Sequence, residues 1–197
     1  MQAGWISPWW QAACIPDRWE VCGVSVPALS VWHTFALENI GNPYLCGGPV
    51  DMNSVAALLL FAQNDRQGGR RLLLHEHYRL RQMRRMNRAL RRVSLERAHV
   101  ACQEYTEICL RGISRWHKGS EKPCAVPYQW HMVYRISQGD PARIEAAWNM
   151  PYAVARCLCD AAAEQNGDDS IMSTRAQEME DNWPAYEQAA QAAAVVN

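Results

Sequence analysis

Residues 79–97 read RLRQMRRMNRALRRVSLER. At about 100° per residue, Arg81, Arg84, Arg85, Arg88, Arg91 and Arg92 fall within an arc of roughly 120°, and Met83, Met86, Leu90 and Val93 within roughly 80° on the opposite side. That segregation predicts an amphipathic helix with its apolar side on a core. A stripe of charge can simply face water. Here, however, the arginines recur at i,i+3 and i,i+4, where like charges repel, and no glutamate lies between them to relieve it. Unrelieved repulsion points to a partner: the chain's own acidic C-terminal region, an acidic protein, or nucleic-acid phosphates. Arg79 and Arg97 project toward the apolar side and, if buried there, require carboxylate partners.

Read outward, the helical pattern extends from about Arg70 to about His117, an unusual length that Gly112 or the crowded Val93–Ser94 could bend or split. Gly68–Gly69 precedes it. Upstream, Met1 to Pro27 carries Trp5, Trp9, Trp10, Trp19 and several prolines and reads as irregular, with Val21–Val26 as the one plausible strand. Pro27 fits the first turn of a helix with its body at Leu29 to Ile40, stopped by Gly41–Asn42–Pro43. Asp51 reads as the N-cap of a helix from Met52 to about Gln63. Downstream, Gly119 to Pro127 is a loop, Pro127 to Ser137 a short aromatic helix, and Asp140–Pro141 an N-cap with proline at the first helical position. Two more helices follow, the first ending before Pro151 and the second near Gln165. An acidic helix is expected from Ser173, interrupted at Pro184. The expected fold is all-α: a helical bundle with one long arginine-striped helix and an irregular Trp/Pro-rich N-terminus. Its units are 1–120, containing the basic helix, and 121–197, acidic, which can pack as a single domain.

The charges balance, 20 basic against 20 acidic, so no net field draws the chain to nucleic acid or membrane. They are nevertheless segregated. From Arg66 to Arg97 there are 11 arginines and 2 acids, 11 − 2 = +9; from Asp160 to Asn197 there are 8 acids and Arg175 alone, 1 − 8 = −7. Only Lys118 and Lys122 are lysines; arginine suits planar, bidentate contact with carboxylate or phosphate. The longest apolar run, Val55 to Ala62, falls well short of the ~20 residues of a membrane span. Met1 to Trp10 lacks the pattern of a secretory signal. Eight cysteines in a chain of this size are therefore expected as reduced thiols in a cytosol.

Residue types that carry chemistry are present, but no spacing unites them. His75/His77 and Cys157/Cys159 are two apart in expected helices and do not face one another. His99 and Cys102 could share an ion, but no second pair stands at a compatible spacing. Cys102 and Cys109 share a face, as buried small hydrophobes do. There is no phosphate loop after Gly47–Gly48 and no nucleophile elbow. His33, within the apolar run Val31 to Leu37, reads as a core histidine. No catalytic, cofactor or metal site is therefore expected. Trp32, Trp116, Trp130 and Trp148 lie in helical patterns and are expected to fill the core. Trp9 and Trp10 are adjacent, so one regular element does not bury both, and one of them is a candidate contact residue.

Two stretches carry a resemblance. One is Trp32-His33-Thr34-Phe35-Ala36-Leu37-Glu38-Asn39-Ile40-Gly41-Asn42-Pro43-Tyr44, leading into Cys46–Gly47–Gly48 and the apolar helix after Asp51. The other is Ala147-Trp148-Asn149-Met150-Pro151 with the alanine-rich helix, Glu164 and Asn166–Gly167–Asp168 beyond it. Both resemble proteins of the tail modules of tailed bacteriophages, particularly the small helical tail-assembly chaperones. The resemblance implies a protein of the host cytoplasm, or of the virion, that needs no cofactor and binds the tape-measure protein or tail subunits. A nucleic-acid-associated phage protein using the arginine stripe and a virion structural component are the alternatives. Because no ligand set has workable spacing, EDTA is expected to leave the thermal midpoint unchanged; a fall of many degrees reversed by zinc would show ligands assembled by tertiary contacts.

Overall fold

The segment Met52–Ala62 has almost no polar side: Val55, Ala56, Leu58, Leu59, Leu60, Phe61 and Ala62 are all buried. A helix that is apolar all round has to be enclosed, and in the computed structural model, which describes residues 15–110 and 126–166, elements from before and after it in the chain close around it. In chain order these are strands β1 (Trp19–Val21) and β2 (Val24–Val26), then helices α1 (Val31–Asn39), α2 (Pro43–Cys46), α3 (Met52–Ala62), α4 (Arg66–Leu74), α5 (Glu76–Leu90), α6 (Leu95–Leu110), α7 (Tyr128–Ser137), α8 (Pro141–Asn149) and α9 (Tyr152–Gln165). Helix accounts for 71% of these residues, so the fold is all-α with one small hairpin. Helices α1, α2, α5 and α6 and strand β2 pack on α3. Asp51 caps its start, accepting from the Ser54 backbone N–H at 2.7 Å.

The expected single strand Val21–Val26 is instead a two-stranded antiparallel hairpin, with Trp19 opposite Val26, Glu20 opposite Ser25 and Val21 opposite Val24. Cys22 (φ 56°) and Gly23 (φ 76°) form its turn. Two successive positive φ values match the right-handed twist of the flanking strands.

Helix α1 begins later than expected, at Val31, and Pro27 lies outside it. Ser30 supplies the cap: the His33 N–H donates to Ser30 Oγ at 3.3 Å, and the Ser30 N–H donates to His33 Nδ1 at 3.0 Å. This is a capping box with histidine in the place usually held by Glu or Gln. Ahead of the cap the chain is extended and tied to the other end of the fold. The Val31 N–H donates to the Met150 carbonyl at 3.0 Å and the Tyr152 N–H to the Leu29 carbonyl at 2.8 Å. At the far end, the Asn42 N–H reaches the Leu37 carbonyl and the Gly41 N–H the Glu38 carbonyl, both at 2.9 Å, with Gly41 at φ 66°. That pair of bonds is a Schellman stop. Asn42 then opens α2, its Oδ1 accepting from the Tyr44 N–H at 3.1 Å.

The long helix expected from Arg70 to His117 is three helices, starting earlier, at Arg66; residues 111–117 lie outside those described. Gly68 and Gly69 do not precede it but lie inside α4, which Asp65 caps through the Gly68 N–H at 2.7 Å. The first break falls at His75, a single extended residue (φ −119°, ψ 95°) shared by α4 and α5. The second follows Leu90 and falls at the anticipated place, where Ser94 Oγ accepts from the Arg97 N–H at 3.4 Å and Glu96 occupies the first turn of α6.

Helix α7 packs on both α8 and α9, all three pack on α1, and α9 also meets α6. As expected, Asp140 caps α8 with Pro141 in its first turn. Trp148 is almost fully buried and meets the rings of Trp32 at 6.1 Å and Phe35 at 5.5 Å. The Arg66 guanidinium lies over both Trp148 (5.3 Å) and Trp32 (5.8 Å) and pairs with Glu145, fastening α4 to α1 and α8. Gly69 is where α4 meets that cluster: a Cβ there would stand 2.6 Å from Trp32 Nε1. Alanine for glycine inside a helix ordinarily stabilises by about 1 kcal/mol. Gly69→Ala is expected to reverse that sign and destabilise by roughly 1–3 kcal/mol through overpacking, measured by urea unfolding; a gain in stability would contradict the close approach.

Candidate functional site

Helix α5 lies on α3 through Met86 and Leu90, with Met83 and Tyr78 partly covered. That choice of inner face sets the outer one: Arg81, Arg84, Arg85 and Arg88 are all exposed. Arg91 and Arg92 are exposed too, but Arg91 caps α5 and Arg92 lies in the turn beyond, so the stripe runs off the helix instead of along one continuous rod. Among the described residues no carboxylate pairs with any of the six; the ion pairs join Arg66 to Glu145, Arg143 to Asp140 and Arg156 to Asp160. Within α5 the like-charge pairs are 81/84, 81/85, 84/88 and 85/88. At about 0.2–0.5 kcal/mol each, they cost the isolated helix roughly 1–2 kcal/mol. The fold meets that cost by burying the opposite face.

The two inward-leaning arginines behave differently from expectation. Arg79 is half-buried, and its partners are carbonyls where carboxylates were expected: Nη1 donates to Leu72 O at 3.3 Å and to Leu73 O at 3.5 Å. It thereby satisfies the last turn of α4 and places a positive charge at that helix's negative end. Arg97, in α6, is exposed.

Each flank of α5 borders an open groove. One, of about 490 Å³, runs between α5 and the α2–α3 region, with Ile40, Pro43, Ala57, Phe61, Leu80 and Met83 as its apolar lining and Asp51, Asn53 and Arg79 at its polar edges. Asn87 Nδ2 donates to Asn53 Oδ1 at 3.0 Å and ties α5 to α3 beside it. Leu80 is 45% exposed on this flank, an apolar side chain the core does not use. The other groove, of about 370 Å³, lies between α5 and the hairpin and is lined by Val24, Leu60, Gln82, Arg85 and Met86. The arginines were legible in the sequence. The grooves were not, because they need α2 and the hairpin to be placed beside α5.

The remaining candidates resolve individually. Trp9 and Trp10 lie outside the described residues, as do Trp116 and the acidic segment from Ser173. Trp32 and Trp148 fill the core as expected, but Trp130 is 44% exposed, resting edge-on against Trp148 at 5.0 Å. Among the described residues no group of three or more His, Cys, Asp or Glu side chains stands close enough to hold a metal ion. His75 lies at the break before α5, not within a helix, and His99 Nδ1 is 3.2 Å from the Tyr44 hydroxyl. Cys102 and Cys109 are buried, as their shared face implied. Among the same residues no helix is long and apolar enough to cross a membrane. No protein-family model matches the chain, and no curated protein or solved structure is significantly similar to it.

His33 is the core histidine expected. With Nδ1 accepting from Ser30, Nε2 carries the proton and donates to the Asn64 carbonyl at 2.8 Å. Burial holds its pKa below the ordinary 6.5, against the opposing pull of the Asn64 carbonyl and the Asp65 charge. The unfolded chain thus binds a proton near pH 6.5 that the folded chain refuses. Stability from this residue is present above about pH 6.5 and declines as the pH falls below it. Urea midpoints are expected to drop between pH 7 and pH 5, and His33→Gln to flatten that dependence; an unchanged slope would assign it to other groups.

Proposed function

We propose that this chain is a non-enzymatic assembly protein of a tailed phage, acting in the host cytoplasm by binding a helix of another phage protein, the tape-measure protein or a tail subunit. The observation that carries the reading is the open apolar groove between α5 and the α2–α3 region, with the half-exposed Leu80 beside it. Amphipathic helices are captured in grooves of this kind through a few apolar anchors. The resemblance of residues 32–51 and 147–168 to tail-assembly chaperones supplies the phage context. The arginine face next to the groove steers an acidic partner toward it, which raises the association rate more than the final affinity.

A second reading, a nucleic-acid-associated protein, is favoured by one observation: the six stripe arginines are exposed without a carboxylate partner among the described residues. Salt dependence separates the two. If the stripe contacts duplex DNA, log affinity falls with log salt at a slope near −0.9 per phosphate, roughly −4 to −5 overall, and replacing Arg84, Arg88 and Arg91 by Gln flattens it by about 3. The expected result is negligible DNA binding at physiological salt. Co-purification with the tape-measure protein of the same tail module should fall at least about tenfold for Leu80→Asp, which places a charge among apolar contacts. It should survive the triple arginine change with little loss. Tight DNA binding abolished by the triple change would establish the second reading.

A further inference from the structure

Along α5, Leu80, Arg84 and Arg88 stand at i, i+4 and i+8, one row down the helix, and Arg91 follows Arg88 at i+3. That row borders the groove of about 490 Å³, where Leu80 shares the apolar lining with Phe61 and Met83. Arg84, Arg88 and Arg91 are exposed and have no carboxylate partner among the described residues. Two acids lie nearby: Glu76, one turn before Leu80, and Asp51 at the groove's polar edge. Asp51 is already engaged, accepting from the Ser54 N–H at 2.7 Å and from the Ser54 hydroxyl at 2.6 Å. The groove therefore suits a ligand that carries acidic groups beside apolar anchors. This chain holds such a segment beyond the described residues. From 167 to 197 there are six acids, Asp168, Asp169, Glu178, Glu180, Asp181 and Glu187, against Arg175 alone, 1 − 6 = −5. Between them Met172, Ala176, Met179 and Trp183 recur at i, i+4, i+7 and i+11, the spacing by which one face of a helix enters a groove.

We propose that the acidic segment Asp168–Glu187 docks in the α5 groove of its own chain, with its apolar anchors beside Leu80 and its carboxylates against Arg84, Arg88 and Arg91. Reach sets no obstacle. The described fold ends at the surface, where Gln165 and Asn166 are exposed, and 197 − 166 = 31 residues follow. Even at a helical rise these span roughly 46 Å, and a domain of this size, with a radius of gyration of about 14 Å, is roughly 35–40 Å across. The route is short as well: α9 meets α6, and α6 packs on α2 and α3, which border the groove. Charge complementarity favours this occupant, because the most acidic stretch of the chain meets its most basic one and relieves the repulsion that α5 carries. Resting on the reading of this groove as the site of a partner helix, the docked segment is a built-in competitor. A tethered ligand faces its site at an effective concentration of about 1 mM, so an intrinsic Kd of about 0.1 mM keeps the groove about nine-tenths occupied and weakens a partner about tenfold. Only a partner that binds well beyond that level displaces the segment.

The test uses the full chain, without partner, carrying a photoreactive benzophenone side chain in place of Leu80, which is 45% exposed. After irradiation at low protein concentration the cross-linked peptides are mapped by mass spectrometry. The expected result is a link within one chain, at the mass of the monomer, to residues 172–187. Its yield should fall at least about threefold between 0.1 M and 1 M salt, where the screening length shrinks from ~10 to ~3 Å. The combined change Glu178→Lys, Glu180→Lys and Asp181→Lys should lower it similarly and raise capture of the tape-measure protein about tenfold. Absence of the link, a link to any other segment, or a link at twice the monomer mass, which marks a second copy in the groove, overturns the proposal. If the link forms and Leu80→Asp weakens partner capture, yet the lysine variant captures no more than the wild type, the competitor role falls and the groove's function stands. If partner capture ignores Leu80→Asp while the link persists, the reading of the groove as the partner's site falls and the docking of the acidic segment stands.

Discussion

Helix α3 has little surface to turn toward water. Seven of its eleven residues are buried, and they lie on every side of its axis. At ~25 cal/mol per Å² of apolar surface, leaving any side of such a helix open is expensive. The elements that close it come from three parts of the chain: the hairpin and α1 before it, α2 at its start, and α5 and α6 after it. Much else follows from that enclosure. The chain breaks at His75 and again beyond Leu90, so the arginine-rich segment lays a short apolar stripe on α3 and no more. With that stripe engaged, the arginines have only the outside left to occupy.

The parts of the fold legible in the sequence were those governed by local chemistry. Asp51 and Asp140 announced helix starts because a short carboxylate satisfies N–H groups two or three residues on, whatever surrounds it. Gly41 announced a stop because a Schellman turn needs a positive φ there. The 3.6-residue period gave the correct inner face of α5. What escaped was set by distant contacts. Nothing near His75 marks a break, since no proline or glycine stands there; the kink is held by Arg79 reaching back to the freed carbonyls of Leu72 and Leu73. Gly68–Gly69 reads as a breaker, yet Gly69 sits within α4 because the Trp32 ring leaves no room for a side chain. Cys22–Gly23 hid a hairpin because cysteine is an uncommon turn residue.

At the site, the division is similar. Exposure of the six arginines followed from their arc, but their place did not: four ride on α5 and two lie in the turn and cap beyond it. Leu80 drew no attention as one leucine among arginines, and it gains meaning only beside Phe61, Ile40 and Pro43. Charge and groove lie on adjacent sectors of one short helix.

The extended segment ahead of α1 has a bearing on how the protein comes into being. Its backbone is completed by Met150 and Tyr152, with 152 − 29 = 123 positions between the two ends of one hydrogen bond. Ribosomes add about 5–20 residues per second. Leu29 therefore waits roughly 6–25 s for its partner to be made, while helix formation itself takes about a microsecond. During that interval the nascent chain holds formed helices whose apolar faces are only partly covered, with Trp32 and Phe35 lacking Trp148. Its final docking is thus a late event in synthesis, and until then the half-made chain leaves uncovered apolar surface that the finished one buries.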